Sequence, residues 1–550
     1  MLPFVRRDDA LKETSAMKDI DKFPITRRAI LGAIGLTAGS AAMYEAMLGM
    51  GYAATSDFKG PITLSGDAKG QSVLVLGAGI AGMVAAYELR KAGYNVRVLE
   101  YNGRPGGRNW SLYSGDTYTD IGGETQKVQF ANGLYFNPGP WRLPYHHQGI
   151  LYYCRMLGVA LEPFVQDNNA TYVHSQNSFG GKPKRFREVQ ADYDGYIAEL
   201  LAKASSQEKL DGLLDKDEKD GLLRMLKSWG GLDQNYEYKK GEPASNFRGY
   251  DIPPGGGLQA GPVDSEPMAR KELFNSTLWA AKFFPKQWDF QGQMFQPVGG
   301  MGMIGKAFGK LLDDMITYDC KVTRIKQDDK GVTVTYVSSK SGGAPRSATA
   351  DWCVCTIPAS VLGQISLEGV SAPMKNAIQS LWYIPAAKVG LQFKRRFWEE
   401  DDAIYGGNSY TDQPIFNISY PSHGFFEKGP AVLLGAYVYR TGFKVYDFEA
   451  LSAKEMIEAA LDQGAKIHPQ YRQEFQNGVA VAWHRVPWSL GCSAWWTDEN
   501  RAKNYQTICQ VDNRMVLAGE HCSRLMAWQE GSVLSALDAV TRLHKRVMAA

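Results

Sequence analysis

The feature that most constrains this chain is a glycine pattern, Gly77-x-Gly79-x-x-Gly82, set between two apolar runs of different period. Gln71 to Leu76 predicts a strand, Met83 to Ala92 has helical apolar spacing, and Asn95 to Glu100 predicts a second strand. A strand, turn, helix, strand order begins a parallel α/β sheet. Gly77 permits the tight turn, Gly79 lets backbone approach a pyrophosphate, and Gly82 allows close helix packing. Ile80 and Ala81 open the helix, whose free N–H groups suit an anion. Glu100 follows at the distance where an acidic residue accepts from ribose hydroxyls. A glycine turn at a sheet edge is the competing reading; the flanking strand and helix favour a dinucleotide site.

Bulk properties remove other classes. With 44% hydrophobic and 22% charged residues the chain can build sizeable cores. Its 61 basic and 58 acidic residues leave a net charge of +3, no electrostatic footprint for nucleic acid. Seven scattered cysteines make no disulfide framework, and the odd number leaves a free thiol. Among eight histidines only His146 and His147 adjoin, so no metal is expected. Helical patterns at Tyr193 to Ala204 and Leu210 to Trp229 predict a helical insertion within residues 141–315. Strands return over 316–360, including Gly331 to Val337 and Trp352 to Ile357. A helix is expected over Ala450 to Ile467 within 361–483. Residues 484–550 close with a strand at Met515 to Ala518 and a helix from about Ser532 to Val547. The sheet begun at residues 71–140 is thus completed from both ends of the chain.

Past Glu100 stand Arg104-Pro105-Gly106-Gly107-Arg108, then Asp120-Ile121-Gly122-Gly123, and near the end Leu517-Ala518-Gly519-Glu520 with Ala527-Trp528-Gln529-Glu530-Gly531-Ser532. In this order they resemble the flavin amine oxidase family. The resemblance implies an α/β fold: a Rossmann-like FAD-binding domain, a mixed-sheet substrate domain and the inserted helical segment. It implies FAD contacts from Gly107, Arg108, Gly123, Gly519, Glu520 and Ala527, with Val322 holding adenine through its backbone. Asn137-Pro138-Gly139-Pro140-Trp141-Arg142-Leu143-Pro144 is similar to an L-amino-acid oxidase segment that lies by the flavin, Pro140 and Trp141 included, and whose arginine grips the substrate carboxylate. Phe397 to Asp402, Gly406-Gly407 and Tyr420-Pro421-Ser422-His423 resemble the same oxidases, where a tyrosine assists that arginine. Arg142 and Tyr420 are therefore the expected carboxylate clamp, although without the resemblance Arg142 reads first as a structural ion-pair residue.

Lys388 falls where the family holds a water against flavin N5. Strand alternation groups it with Gln392 and Lys394, so a solvent-exposed lysine is the competing reading. Trp528 is expected to flank the substrate amine and Trp483 to stack by the ring system; each also suits a core. Gly491-Cys492 stands where related monoamine oxidases attach flavin, but Ser493 follows in place of an aromatic, and an inert thiol with non-covalent FAD is expected. The implied reaction is hydride transfer from Cα to flavin N5, giving a 2-oxo acid, ammonia and hydrogen peroxide. The expected partners are an amino acid and oxygen, in a homodimer. An amine oxidase without carboxylate recognition, an amino-acid monooxygenase and a non-catalytic flavin module are the rivals.

Residues 1–55 differ in character. Arg27-Arg28 precede a short apolar run from Ala29 to Met43, which reads as a twin-arginine export signal to the periplasm or beyond. An ordinary N-terminal helix is the alternative, and no stable membrane span is expected in the mature protein. Replacing Arg27 and Arg28 together by lysine is expected to strand the protein in the cytoplasm. Fractionation and immunoblotting check this, and unchanged export overturns the signal.

Overall fold

The computed structural model describes residues 58–549, apart from 69, 211, 260, 284–285, 287–289 and 440–442. The twin-arginine segment lies outside the described residues. Contacts group Phe58–Pro144 and Gly149–Ala550 into one unit.

Within the large unit, β1 (Ser72–Leu76), α1 (Ile80–Lys91) and β2 (Asn95–Leu99) form the expected opening. β1 is apolar and buried because strands pair with it on both sides, in parallel: β2 and Trp352–Cys355. The full order is Ile316–Thr317, β2, β1, Trp352–Cys355, Met515–Leu517 and Val511–Asp512, the last antiparallel. A chain end and a middle segment thus complete the sheet, as the strand patterns predict. A smaller sheet of Cys320–Gln327, Val332–Ser338, Gly342–Ala350 and Ser366–Glu368 stands beside it.

The substrate domain is built on a seven-stranded mixed sheet. Its β3 (Ala387–Phe393) lies between Phe475–Ala482 and Ala431–Val438, both antiparallel to it. Beyond them, Asn408–Thr411 runs parallel to Tyr172–His174. The helical insertion contains Phe186–Ser206 and Lys216–Trp229. The latter starts six residues after the apolar pattern because Asp215 and Glu218 form a capping box there. The helix expected from Ala450 to Ile467 is Ala453–Gly464, and a separate helix, Phe443–Ala450, ends before it. Ser452 caps the helix that starts at Ala453, with Glu455 closing a capping box, which sets its start three residues into the expected run.

α2 (Gln529–Met548) starts three residues earlier than its apolar spacing suggests and packs beside α1. Tyr94 after α1 bonds His544 of α2 at 2.8 Å. Gly82 sets how closely α1 lies on the turn: a Cβ there would stand 1.9 Å from the Gly77 carbonyl oxygen. Gly82→Ala is expected to cost about 2 kcal/mol or more and to lower bound flavin. Thermal unfolding and flavin absorbance of the purified variant check this.

Candidate active site

A cavity partly open to solvent takes its walls from both large sheets. Gly77, Gly79, Ile80 and Ala81 form one end. Gly79 caps α1 with no side-chain bond to the helix, and a Cβ there would meet nothing within 4 Å. The N-cap of α2, Trp528, likewise makes no side-chain capping bond to its helix and lines the same cavity with Ala527. Two helix N-termini therefore open on one space, an arrangement suited to a pyrophosphate.

Glu100 is buried beside them. Its carboxylate accepts from the amides of Ala78 at 2.6 Å and Asn102 at 2.8 Å, while burial raises its pKa. The Asn102 side-chain amide also donates to Oε1 at 2.7 Å, so Oε2 is the oxygen that keeps a lone pair for a ribose hydroxyl. Arg108 donates to Glu520 at 2.7 Å and to the Cys492 carbonyl at 2.8 Å. Glu520 also accepts from Ala494 N at 3.1 Å, so this pair ties the first and last segments across the cavity. Gly107, Pro140, Val322, Trp483 and Gly519 line it as well. Trp483 donates its indole N–H to the Pro138 carbonyl at 2.7 Å, which fixes its ring. Open helix ends for phosphates, an acid for ribose and a flat aromatic wall together fit a flavin dinucleotide.

Other expected contacts lie elsewhere. Gly82 packs beneath the turn and does not line the cavity. Gly123, with φ of 85°, turns the exposed hairpin between Thr117–Thr119 and Thr125–Lys127 and does not reach the cavity. Its resemblance to a pyrophosphate glycine is therefore corrected to a turn requirement. Trp141 and Arg142 sit beside the cavity rather than in its wall.

Lys388 is 2% exposed, which removes the solvent-facing alternative. Every residue of β3 is buried, because strands flank it and both faces are covered. Its ammonium donates to the Gly139 carbonyl and lies 4.2 Å from the Tyr437 ring centroid and 4.9 Å from that of Trp141. Burial lowers its pKa to about 7; nearby Arg142 also lowers it, and Cys492 opposes. Arg142 is itself buried between rings, 4.6 Å from Trp141 and 4.5 Å from Phe290. Burial lowers its pKa too, opposed by Tyr437, Tyr439, Tyr410 and Asp167 in that order. Its Nε has no acceptor among the described residues.

Tyr420 does not complete the clamp. Its hydroxyl bonds His468 Nε2 at 2.6 Å and Ser409 Oγ at 2.7 Å, within the apolar core of the substrate sheet. Tyr437, opposite Lys388 in the strand register and lining the cavity, is the phenol beside Arg142. Its signal was the Tyr437-Val438-Tyr439 alternation closing an apolar run, which puts two phenols on one face. Phe290, whose ring lies 6.1 Å from Trp528, carried no comparable signal. Nor did Asn109, which bonds Gln529 at 2.7 Å.

Sheet, cavity and buried lysine define a flavin-dependent oxidoreductase of two interleaved domains. The family model for flavin-containing amine oxidoreductases matches residues 80–544. The chain belongs to that family, which implies a flavin cofactor. It is 28% identical to an L-amino-acid oxidase of Siganus canaliculatus over 486 residues, 86% of either chain. It is 27% identical to one from Demansia vestigiata over 482 residues, again 86% of either. A putrescine oxidase structure superposes with a TM-score of 0.54 at 15% identity, covering 87% of this chain and 99% of that one. Cyclohexylamine oxidase from Brevibacterium oxydans gives the same values and shares the fold.

Because Lys388 titrates near 7, a rate that needs its neutral amine rises as pH climbs through that value. In Lys388→Met that rise should vanish and flavin reduction should slow on the order of 10²-fold, as stopped-flow absorbance would read. The folded pKa lies below the ordinary 10.5, so the lysine's cost to stability is absent above that pH and complete below about 7. Lys388→Met is therefore expected to raise Tm at neutral pH, with the gain shrinking toward pH 10.5.

Proposed function

We propose that this enzyme oxidises an L-amino acid to its 2-oxo acid, ammonia and hydrogen peroxide, using FAD held without a covalent link. The observation that carries the reading is Arg142, a buried guanidinium between two rings whose Nε lacks an acceptor among the described residues. A buried cation in that state is costly unless an anion arrives, and a planar guanidinium matches a carboxylate in two parallel bonds. The names of the relatives support the same substrate class.

In this proposal Arg142 holds the carboxylate and Tyr437 adds a phenolic bond. Trp528 and Phe290 wall in the α-amine, which reacts in its neutral form. Lys388, partly neutral at pH 7, keeps a proton-accepting nitrogen beside the reacting end. FAD, when bound, takes up two electrons from the substrate's Cα–N unit and passes them to dioxygen, which leaves as peroxide. The imino acid then adds water and loses ammonia. Orientation by these fixed groups contributes several kcal/mol, on the order of 7. Burial pushes the Cys492 thiol up to about 11, which keeps it protonated and supports non-covalent flavin. The Arg27-Arg28 segment would deliver the enzyme beyond the cytoplasm, as a homodimer.

Arg142→Ala is expected to lower kcat/KM for amino acids on the order of 10²-fold, about 3 kcal/mol. Flavin content should stay near one per chain, and Arg142→Lys should recover only part of the loss. Steady-state peroxide assays with an amino acid and its decarboxylated amine check this. If the amine is the better substrate of the parent enzyme, the amino-acid reading fails. Acid precipitation is expected to release all the flavin to the supernatant; flavin retained in the pellet and lost in Cys492→Ala overturns the non-covalent assignment.

A further inference from the structure

We propose that the preferred amino acid carries a cationic side chain and that Asp167 receives it; this rests on the amino-acid reading above. Asp167 follows the strand Leu161–Val165, and its Oδ1 is shut off from solvent with no donor among the described residues. Its neighbour Gln166 is 1% exposed and likewise has an Oε1 without a donor. The Gln166 amide reaches the Tyr410 hydroxyl at 3.4 Å. Tyr410 in turn feels the charges of both Arg142 and Asp167. Two orphan acceptors therefore stand around the tyrosine that also borders the carboxylate-binding arginine. Orphan acceptors in a buried site call for a ligand that brings donors.

Charge decides which donors. Arg142 and Asp167 sense one another, the arginine lowering the carboxyl pKa and the carboxylate raising that of the arginine. No direct ion pair between them forms, and each keeps an unpartnered atom. Desolvation still holds the Asp167 carboxyl up at about 6, so it is ionised at neutral pH but poorly compensated. A neutral-chain amino acid in reactive form brings one carboxylate and an uncharged amine. With Arg142 and Asp167, and Lys388 in the neutral form that reacts, the filled site would then hold two negative charges against one positive, in a space with little water. A lysine-, ornithine- or arginine-like side chain restores neutrality and supplies the N–H groups that Asp167 and Gln166 lack. A neutral side chain would leave that carboxylate buried and unpaired, which is the stronger basis for discrimination.

The test uses the holoenzyme with L-lysine, L-arginine and L-norleucine, the last being lysine without its terminal amine. Peroxide formation should give kcat/KM at least about 10²-fold higher for lysine or arginine than for norleucine. In Asp167→Asn the lysine-to-norleucine ratio should fall at least about 30-fold, with flavin content and Tm recorded alongside. A parent ratio near or below one overturns the proposal, and does so even if the variant fails to fold. An equal loss for lysine and norleucine in Asp167→Asn also overturns it, because Asp167 would then only position Arg142. Oxidation of none of these, with turnover of simple amines instead, fails at the amino-acid reading and is distinguishable from both.

Discussion

The backbone contact between α1 and the turn before it is what the rest of the site depends on. With no Cβ at Gly82, the helix start can lie against the Gly77 carbonyl. Gly77 N then bonds Leu99 O at 2.8 Å, and Gly106 N bonds Ala78 O at 2.8 Å, so the turn is held from two sides. Gly107 comes within 3.2 Å of Gly79 when a Cβ is placed on it, and only a glycine fits comfortably at its φ of 57°. Once these strands of chain are together, Asn109 reaches Gln529 and Arg108 reaches Glu520. Those two contacts bring α2, more than four hundred residues later, to the same cavity with its N–H groups open.

The same enclosure places two cations where water is scarce, and the two respond differently. A guanidinium spreads its charge and stays protonated even when burial lowers its pKa. An ammonium concentrates its charge, so Lys388 yields and titrates near neutrality. Ring faces of Trp141 lie against both groups and Tyr437 against the lysine, softening but not cancelling the desolvation. One fold thus produces a lasting positive charge and a nitrogen that loses its proton near neutrality from two residues of nominally equal charge.

How much of this was legible depended on whether the signal was local. The glycine turn, Glu100 and the two flanking strands follow from residues within one short stretch, and the cofactor end of the cavity has the form they predict. The environment of Lys388 was not local. Alternation along β3 grouped it with Gln392, but that strand is covered on both faces, and the Gln392 side chain accepts from Ala131 N instead of meeting water. Gly123 looked like part of a phosphate-binding run because a glycine after an acid suits several turns, and only three-dimensional placement separates them. The helix expected from Ala450 starts at Ala453 for an equally specific reason: the Ser452 side chain accepts from Glu455 N and fixes the first turn.

Tyr420 was the misassigned residue whose true surroundings explain the most. The run from Tyr420 to His423 resembled amino-acid oxidases, and that likeness is about support for the pocket rather than contact with substrate. Tyr420 is pinned by His468, whose other ring nitrogen lies 2.9 Å from Asp402. Asp402 accepts from Tyr172 at 2.8 Å, so the chain of bonds crosses from one side of the sheet to the other. Two residues on, Ser422 Oγ accepts from Val165 N at 3.0 Å. Gly407 N bonds the Val165 carbonyl at 3.1 Å, and Asn408 donates to the Gln166 carbonyl at 2.9 Å. Both runs therefore grip the segment that ends in Gln166 and Asp167, fixing its backbone on two sides. In the role proposed for it, the Asp167 carboxylate must not relax toward solvent or toward Arg142 when the site is empty. The bonds that removed Tyr420 from the clamp supply that restraint.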